Sequence, residues 1–288
     1  MSVEEGPTIR RRRLGAELKR CREAAGLTQE QVSREFEWHA AKVTRIEAAR
    51  VAVTARDVKD LLLLYGVDDP EYRDSLMQLA RSGGQRGWWS EYRDILPADA
   101  FIRLEADASL IRDWEPVLVP GLLQTEAYVR ALFSVPRLGR RGSVDRFVSL
   151  RLARQRRLTD DPPLVVQAVI DESVIHRRIG GAGVMADQLR HLVALSQREN
   201  VDLRVLPYDA GEHPLLSISA VILEFHDAPD LDVVYLEHYR GTHTLLKRKA
   251  DVAQFQDDLR EVTAKCLDQR QTRELIESVL ALRGGSRS

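Results

Sequence analysis

The chain is predicted to be α+β, with an all-α head of five helices followed by a larger mixed domain built on a small sheet. Three observations lead there. Apolar residues recur at helical spacing from about residue 8 to 80, with a cap or a glycine at each break. A stretch with three glycines in six residues, Ser82-Gly83-Gly84-Gln85-Arg86-Gly87, then interrupts the pattern. Beyond about Phe101, β-rich apolar runs alternate with helical stripes. A length of 288 residues suits two domains, at ~100–200 residues each. The predicted bounds are 8–82 for the head, 83–100 for a linker and 101–284 for the second domain.

Composition narrows the class. With 44% hydrophobic and 30% charged residues the chain is of ordinary globular type. No apolar run approaches the ~20 residues of a spanning helix. Met1-Ser2-Val3-Glu4-Glu5 lacks the basic start and apolar core of a signal peptide. Cys21 and Cys266 are too few for a disulfide scaffold or a cysteine-only zinc site. The expectation is a cytoplasmic protein with no membrane partner. The net charge of −1 hides an asymmetry: residues 8–56 hold twelve Lys/Arg against six Glu and no Asp. A basic segment on a near-neutral chain points to a polyanion, unless it is a solvated helix face.

The first helix is predicted from Thr8 to Ala25, with Leu14, Leu18, Cys21 and Ala25 on one stripe. Gly26 ends it. Thr28 caps a second helix and Gln31 completes a capping box. Val32 and Phe36 face its core. A third helix, His39 to Ala48, begins after a turn of about three residues, with Val43 and Ile46 inward. Two helices joined so tightly cross steeply, as in a helix-turn-helix. A fourth helix runs from Thr54 to Tyr65 with Val58, Leu61 and Leu62 inward, and Gly66 stops it. A fifth runs from Pro70 to Ala80 with Tyr72, Leu76 and Leu79 inward.

Leu27-Thr28-Gln29-Glu30-Gln31-Val32-Ser33 followed by Lys42-Val43-Thr44-Arg45-Ile46-Glu47 resembles the lambda-repressor/Cro-like (XRE) DNA-binding head, over residues ~10–67. Two departures stand out. Glu37 and Ala49 occupy places where the family usually has Gly, which serves a positive φ. A non-Gly residue there costs ~1 kcal/mol, so the turn is expected to be slightly remodelled. The resemblance implies that double-stranded DNA is the partner, with the helix from His39 in the major groove and Ala40, Ala41, Lys42, Thr44 and Arg45 on its exposed side. Arg45 is the best placed for a bidentate guanine contact. Gln29 is expected to bond a phosphate. Lys42, Arg50 and the Arg10–Arg13 run are expected to neutralise others. Trp38 is read as packing against the first helix, with DNA contact the alternative. Glu47 is read as structural, bonded to a nearby Arg or backbone amide.

In the second domain the pattern gives a strand at Ala108–Trp114, a turn at Pro120-Gly121, and helices from Thr125 to Phe133 and from Ser143 to Leu158. Residues 164–170 read as a strand buried on both faces. A helix at Met185–Gln197 follows, after a Gly-rich turn at Gly180-Gly181-Ala182-Gly183. Strands near Val201–Leu206, Ile218–Phe225 and Val233–Tyr239 come next, the last two antiparallel neighbours. Helices at Ala250–Cys266 and Thr272–Leu282 close the chain, the latter with Leu275, Val279 and Leu282 inward. The sheet is expected to have about four strands. Val119-Pro120-Gly121-Leu122-Leu123-Gln124-Thr125, with Glu172, Val184-Met185, Gln188-Leu189 and Val205-Leu206-Pro207, resembles the C-terminal domain of WhiJ-like regulators of actinomycetes. That resemblance implies an antitoxin-like regulator paired with a small protein encoded nearby.

Catalytic chemistry has little support. Gly-x-Ser-x-Gly, Walker A and dinucleotide fingerprints are missing, and Gly180–Gly183 lacks the Lys-Ser/Thr of a phosphate loop. Asp171-Glu172 suits a helix N-terminus. His213, His226, His238 and His243 show no metal-ligand spacing. No catalytic residue, metal or cofactor is expected. Arg137 to Arg157 carries eight Arg and one Asp; Arg146, Arg154 and Arg157 share a helical face. That face suits solvent, an acidic partner or auxiliary DNA contact. The leading expectation is a nucleoid-associated, sequence-specific regulator. A homodimer reads a palindromic operator, and the C-terminal domain dimerises and receives a signal from a small-molecule effector or a protein. The alternative is an antitoxin-like interaction protein whose C-terminal domain binds a small partner, with DNA binding autoregulatory. A third reading, an enzyme with a DNA-binding appendage, would need a polar cleft with convergent titratable groups in the second domain.

Overall fold

The computed structural model describes residues 7–39, 41–84, 87–96, 101–135, 143–226, 228–238 and 242–284. The chain divides into two units, Met1–Ser90 and Glu91–Ser288. Trp88–Tyr92 forms a short 3-10 segment, while residues 85–86 and 97–100 of the expected linker lie outside the described residues. The fold is α+β, a helical unit followed by a mixed one.

Among the described residues the first unit holds α1 (Pro7–Ala24), α2 (Gln29–Glu35), α3 (Ala41–Glu47), α4 (Ala55–Leu64) and α5 (Pro70–Gly83). Leu14, Leu18, Cys21, Val32, Val43, Ile46, Val58, Leu61, Leu62 and Leu76 form one core. Ala25, placed on the inward stripe, is exposed, because α1 ends at Ala24 and the chain has already turned. Thr28 makes the capping box with Gln31, and Thr54 and Asp69 cap α4 and α5.

Four of the helices end alike. Leu27 N–H bonds Arg22 O, Trp38 N–H bonds Ser33 O, Arg50 N–H bonds Arg45 O, and Val67 N–H bonds Leu62 O. Each is the long bond of a Schellman motif, with a left-handed residue at C′. Gly26 and Gly66 supply that residue for α1 and α4, at φ 69° and 70°. Glu37 and Ala49 supply it for α2 and α3, at φ 52° and 56°. The turn is therefore not remodelled: the backbone keeps the shape glycine would give, and the side chains bear the strain.

The second unit is built on a six-stranded sheet of order β3-β2-β1-β4-β5-β6, from β1 (Leu110–Glu115), β2 (Val165–Asp171), β3 (Val201–Leu206), β4 (Ser219–Glu224), β5 (Val233–Glu237) and β6 (His243–Leu246). β1, β2 and β3 run parallel, and β4, β5 and β6 add antiparallel. The five segments read as strands all form strands, so the expected count of about four falls short of six, and only β6 was not read at all. His243–Leu246 is four residues long and not fully buried, so no alternating apolar signal marks it. The helices are α6 (Phe101–Glu105), α7 (Glu126–Phe133), α8 (Val144–Gln155), α9 (Glu172–His176), α10 (Gly181–Leu195), α11 (Lys249–Ala264) and α12 (Gln269–Gly284). α11 covers one sheet face, where Val252, Leu259 and Val262 meet Trp114, Ile222 and Val234. α10 packs on α12, and α12 on β3. The inward stripe of α12 is Thr272, Ile276 and Val279; Leu282 is 76% exposed. α10 takes in Gly181–Gly183, residues read above as a turn, since Gly180 supplies the left-handed entry.

The family-like stretch at 119–125 is a knot of side chain to backbone bonds. Gln124 Nε2 donates to Val119 O, Tyr128 Oη accepts from Val119 N–H, and Thr125 caps α7. Gln188, fully buried on α10, accepts from Thr125 N–H and donates to Leu123 O. Gln155 of α8 donates to Gln124 O. One loop thus ties three helices together.

Glu37→Gly and Ala49→Gly are each expected to stabilise the first unit by about 1 kcal/mol, by relieving a left-handed L-residue. Urea unfolding followed by circular dichroism checks this. Loss of stability in both would show that the positive φ carries no strain.

Candidate nucleic-acid interface

α3 has two faces. Val43 and Ile46 point into the core. Ala41, Thr44 and Arg45 are exposed, and Arg45 makes no ion pair among the described residues. His39 is exposed just before the helix, its Nδ1 3.4 Å from Ala41 N–H. Arg50 is exposed beyond the C-terminal turn. Ala40 lies outside the described residues.

The remaining predicted contacts are partly engaged within the protein. Gln29 Nε2 donates to Glu47 Oε2 at 2.7 Å, and its Oε1 accepts from Thr44 Oγ1 at 2.7 Å. The side chain assigned to a phosphate therefore links α2 to α3. Lys42 lies 3.6 Å from Asp57 and 3.4 Å from the Trp38 ring centroid, a cation–π contact. Trp38 stacks on Phe36 and packs on the head's core. In the Arg10–Arg13 run Arg10 is 7% exposed, while Arg13 is exposed, so burial withdraws only Arg10 from phosphate contact. Its register on α1 puts Arg10 one turn before Leu14, on the buried stripe.

Beneath α3 sit two features that sequence reasoning missed. Arg22 of α1 makes a bidentate pair with Glu47, at 2.6 and 3.0 Å, and donates to Leu27 O at 2.7 Å. The side chains of Arg22 and Glu47 are 8% and 5% exposed. Glu47 is structural, as expected, and holds the end of α3 to α1. Hydrogen bonding to Glu47, opposed by burial, raises the Arg22 pKa above its usual value. Next to it α1 carries Gly15. A Cβ there would lie 2.6 Å from Glu47 O and 2.8 Å from Ile46 O, closer than carbon and oxygen can approach. The one available signal was a glycine inside an otherwise regular helix, which marks close backbone approach.

With this geometry in place, two family models match the chain. Residues 13–76 match a helix-turn-helix domain. Residues 98–278, more than half of the chain, match a domain of unknown function, DUF5753. The chain belongs to the DUF5753 family. No curated protein and no solved structure matches it. The helix-turn-helix of this DUF5753 protein spans α1 into α5, and its second and third helices carry the exposed face described above. Such a domain supports DNA binding and a regulatory role. No helix among the described residues is long and apolar enough to cross a membrane.

The three arginines read as one face of residues 146–157 each have a partner within the DUF5753 unit. Arg146 bonds Asp94 at 3.0 and 3.1 Å. Arg154, 9% exposed, pairs with Glu105. Arg157 donates to Ala108 O at 2.6 Å. Burial therefore withdraws Arg154 from the acidic-partner and DNA-contact readings, whereas the Arg146 side chain is still 37% exposed. Residues 137, 140 and 141 lie outside the described ones. Asp171 caps α9, and Glu172 accepts from Tyr208 N–H. His213 meets Trp114 edge-on and His238 bonds Thr244. No three His, Cys, Asp or Glu among the described residues converge on a metal position.

Arg22→Ala would leave the Glu47 carboxylate buried and unpaired, a loss of about 3–5 kcal/mol. Gly15→Ala would force α1 and α3 apart at a cost of about 1–3 kcal/mol. Both are expected to weaken DNA binding, the second while the first unit stays folded. Denaturation midpoints read beside fluorescence anisotropy on genomic fragments separate the two effects.

Proposed function

We propose that this DUF5753 protein is a sequence-specific transcription regulator of the XRE type. A homodimer places two copies of α3 in successive major grooves of a palindromic operator. Its WhiJ-like C-terminal unit dimerises and receives the signal. The observation that carries this reading is the division of labour on α3: one face is fixed to α1 through Gly15 and the Arg22–Glu47 pair, and the other presents Arg45, Thr44 and Ala41 to solvent. A helix held this firmly can read base edges, because contacts worth ~1–3 kcal/mol each need fixed geometry. One head offers few such contacts. A second half-site adds affinity through effective concentration.

The test is genomic binding in the native host, by immunoprecipitating the tagged chain and sequencing the bound DNA. Sharp peaks sharing an inverted repeat are expected, with half-sites about one helical turn apart. Diffuse occupancy would speak against the reading. On the operator so found, Arg45→Ala is expected to relax discrimination at one base pair by ~1–3 kcal/mol, with folding unchanged. Operator affinity should fall steeply as salt rises, through release of counterions from phosphates. An affinity indifferent to salt would remove the phosphate contacts from the model.

A further inference from the structure

β1 lies in the interior of the sheet, between β2 and β4, where alternation calls for apolar residues on both faces. Ile111, Asp113 and Glu115 share the face opposite Trp114 and α11. Asp113 stands between Ala168 and Val221, is 6% exposed, and its buried Oδ1 has no hydrogen-bond partner. A carboxylate without a donor in such a place is costly. Glu115 has a hydrogen bond from Ser219 to offset its burial.

Charges from three other elements act on the same place. Glu105 of α6 and Arg154 of α8 neutralise one another in their bidentate pair. Glu237 of β5 adds negative potential. That leaves Arg151, one turn before Arg154 on α8. It is half-buried and among the described residues makes no hydrogen bond and no ion pair. The family-like loop makes room for it: a Cβ at Gly121 would collide with Arg151 Nη1. Burial, then Glu105, pushes the Asp113 carboxyl up to about 7. Burial, then Asp113, holds Glu115 well above the usual carboxylate range. Burial, then Arg154, brings Arg151 down to about 9.

Asp113 and Glu115 thus share one face of β1, and the Arg151 charge acts on both without a hydrogen bond or ion pair to either among the described residues. Asp113 lacks a donor, Glu115 has only the Ser219 hydroxyl, and the Arg151 guanidinium lacks an acceptor among the described residues. A compact zwitterion supplies both. We propose that Asp113, Glu115 and Arg151 form a binding site for a small α-amino-acid-like molecule, with its ammonium on the two carboxylates and its carboxylate on Arg151. This rests on the reading of the C-terminal unit as the part that receives a signal, and it supplies the chemistry of that signal.

The experiment uses the full chain without DNA, so that failure of operator binding and failure of this site give separate results. Isothermal calorimetry and thermal shift are run with the common L-amino acids at millimolar concentration. At least one is expected to bind, and Asp113→Asn and Arg151→Gln should each weaken it at least ~10-fold, or about 1.4 kcal/mol. Binding should strengthen between about pH 6 and about pH 8 as Asp113 loses its proton. Asp113→Asn removes an unpartnered charge, so the variant should be at least as stable as the parent above about pH 7. If no amino acid binds, or both variants bind undiminished, the acids hold only protons and the proposal fails. It fails equally if Asp113→Asn unfolds the chain, since the carboxylate would then have a structural partner.

Discussion

The placement of α3 depends on one buried ion pair. Arg22 and Glu47 leave water together, and neither could do so alone, since an unmatched charge in the interior costs several kcal/mol. On energy alone a well-packed apolar pair would serve the head as well or better. An apolar pair could not hold Gln29, whose amide bridges the Glu47 carboxylate and the Thr44 hydroxyl. Nor could it take up Leu27 O at the start of the loop that leads into α2. The pair therefore fixes three things at once: the end of α1, the start of α2 and the rotation of α3 about its own axis. Gly15 fixes the fourth, the distance between α1 and α3.

The second unit uses the same device with a different emphasis. Glu105 and Arg154 tie α6 to α8, and their exposures of 3% and 9% match the seclusion of the pair in the head. Gln188, fully buried on α10, serves the loop at 119–125 with both a donor and an acceptor. Gln124 Oε1, Arg157 Nε and Asp113 Oδ1 are buried without a hydrogen-bond partner among the described residues, and of these Asp113 is the acid on a central strand.

What the sequence made legible was local. Thr28 with Gln31, Thr54, Gly26 and Gly66 marked helix ends because caps and left-handed residues act within a turn of their own position. Glu37 and Ala49 were legible as departures, and the left-handed backbone appears at both. Glu47 was legible as structural because a carboxylate on a phosphate-facing surface would repel its partner. Its partner was not, because Arg22 lies 25 residues away and pairing across that distance leaves no trace in spacing. Strand order escaped for the same reason: β1 borders β2 and β4, and nothing in residues 110–115 names either neighbour. The arginines between residues 146 and 157 misled in the opposite sense. Helical spacing put Arg146, Arg154 and Arg157 on one face, yet each turned to an acid or a carbonyl of its own unit.

The loop at 119–125 shows how a family signature and a site can be the same object seen at two levels. As sequence, Val119-Pro120-Gly121-Leu122-Leu123-Gln124-Thr125 marks kinship and suggests no chemistry. As structure, Gln124 and Thr125 fasten the loop to α10 and α8. Gly121 then meets Arg151 at a distance that no side chain could share. A loop selected only to cap α7 would need Thr125 and little else. The glycine does something further, since it leaves the space that the Arg151 guanidinium occupies, and the Arg151 charge acts on both Asp113 and Glu115. Natural proteins break local rules where function needs it and support the breach with well-ordered surroundings. Here the breach is a pair of acids on an interior strand, and the support is a loop tied by side chain to backbone bonds to α7, α8 and α10.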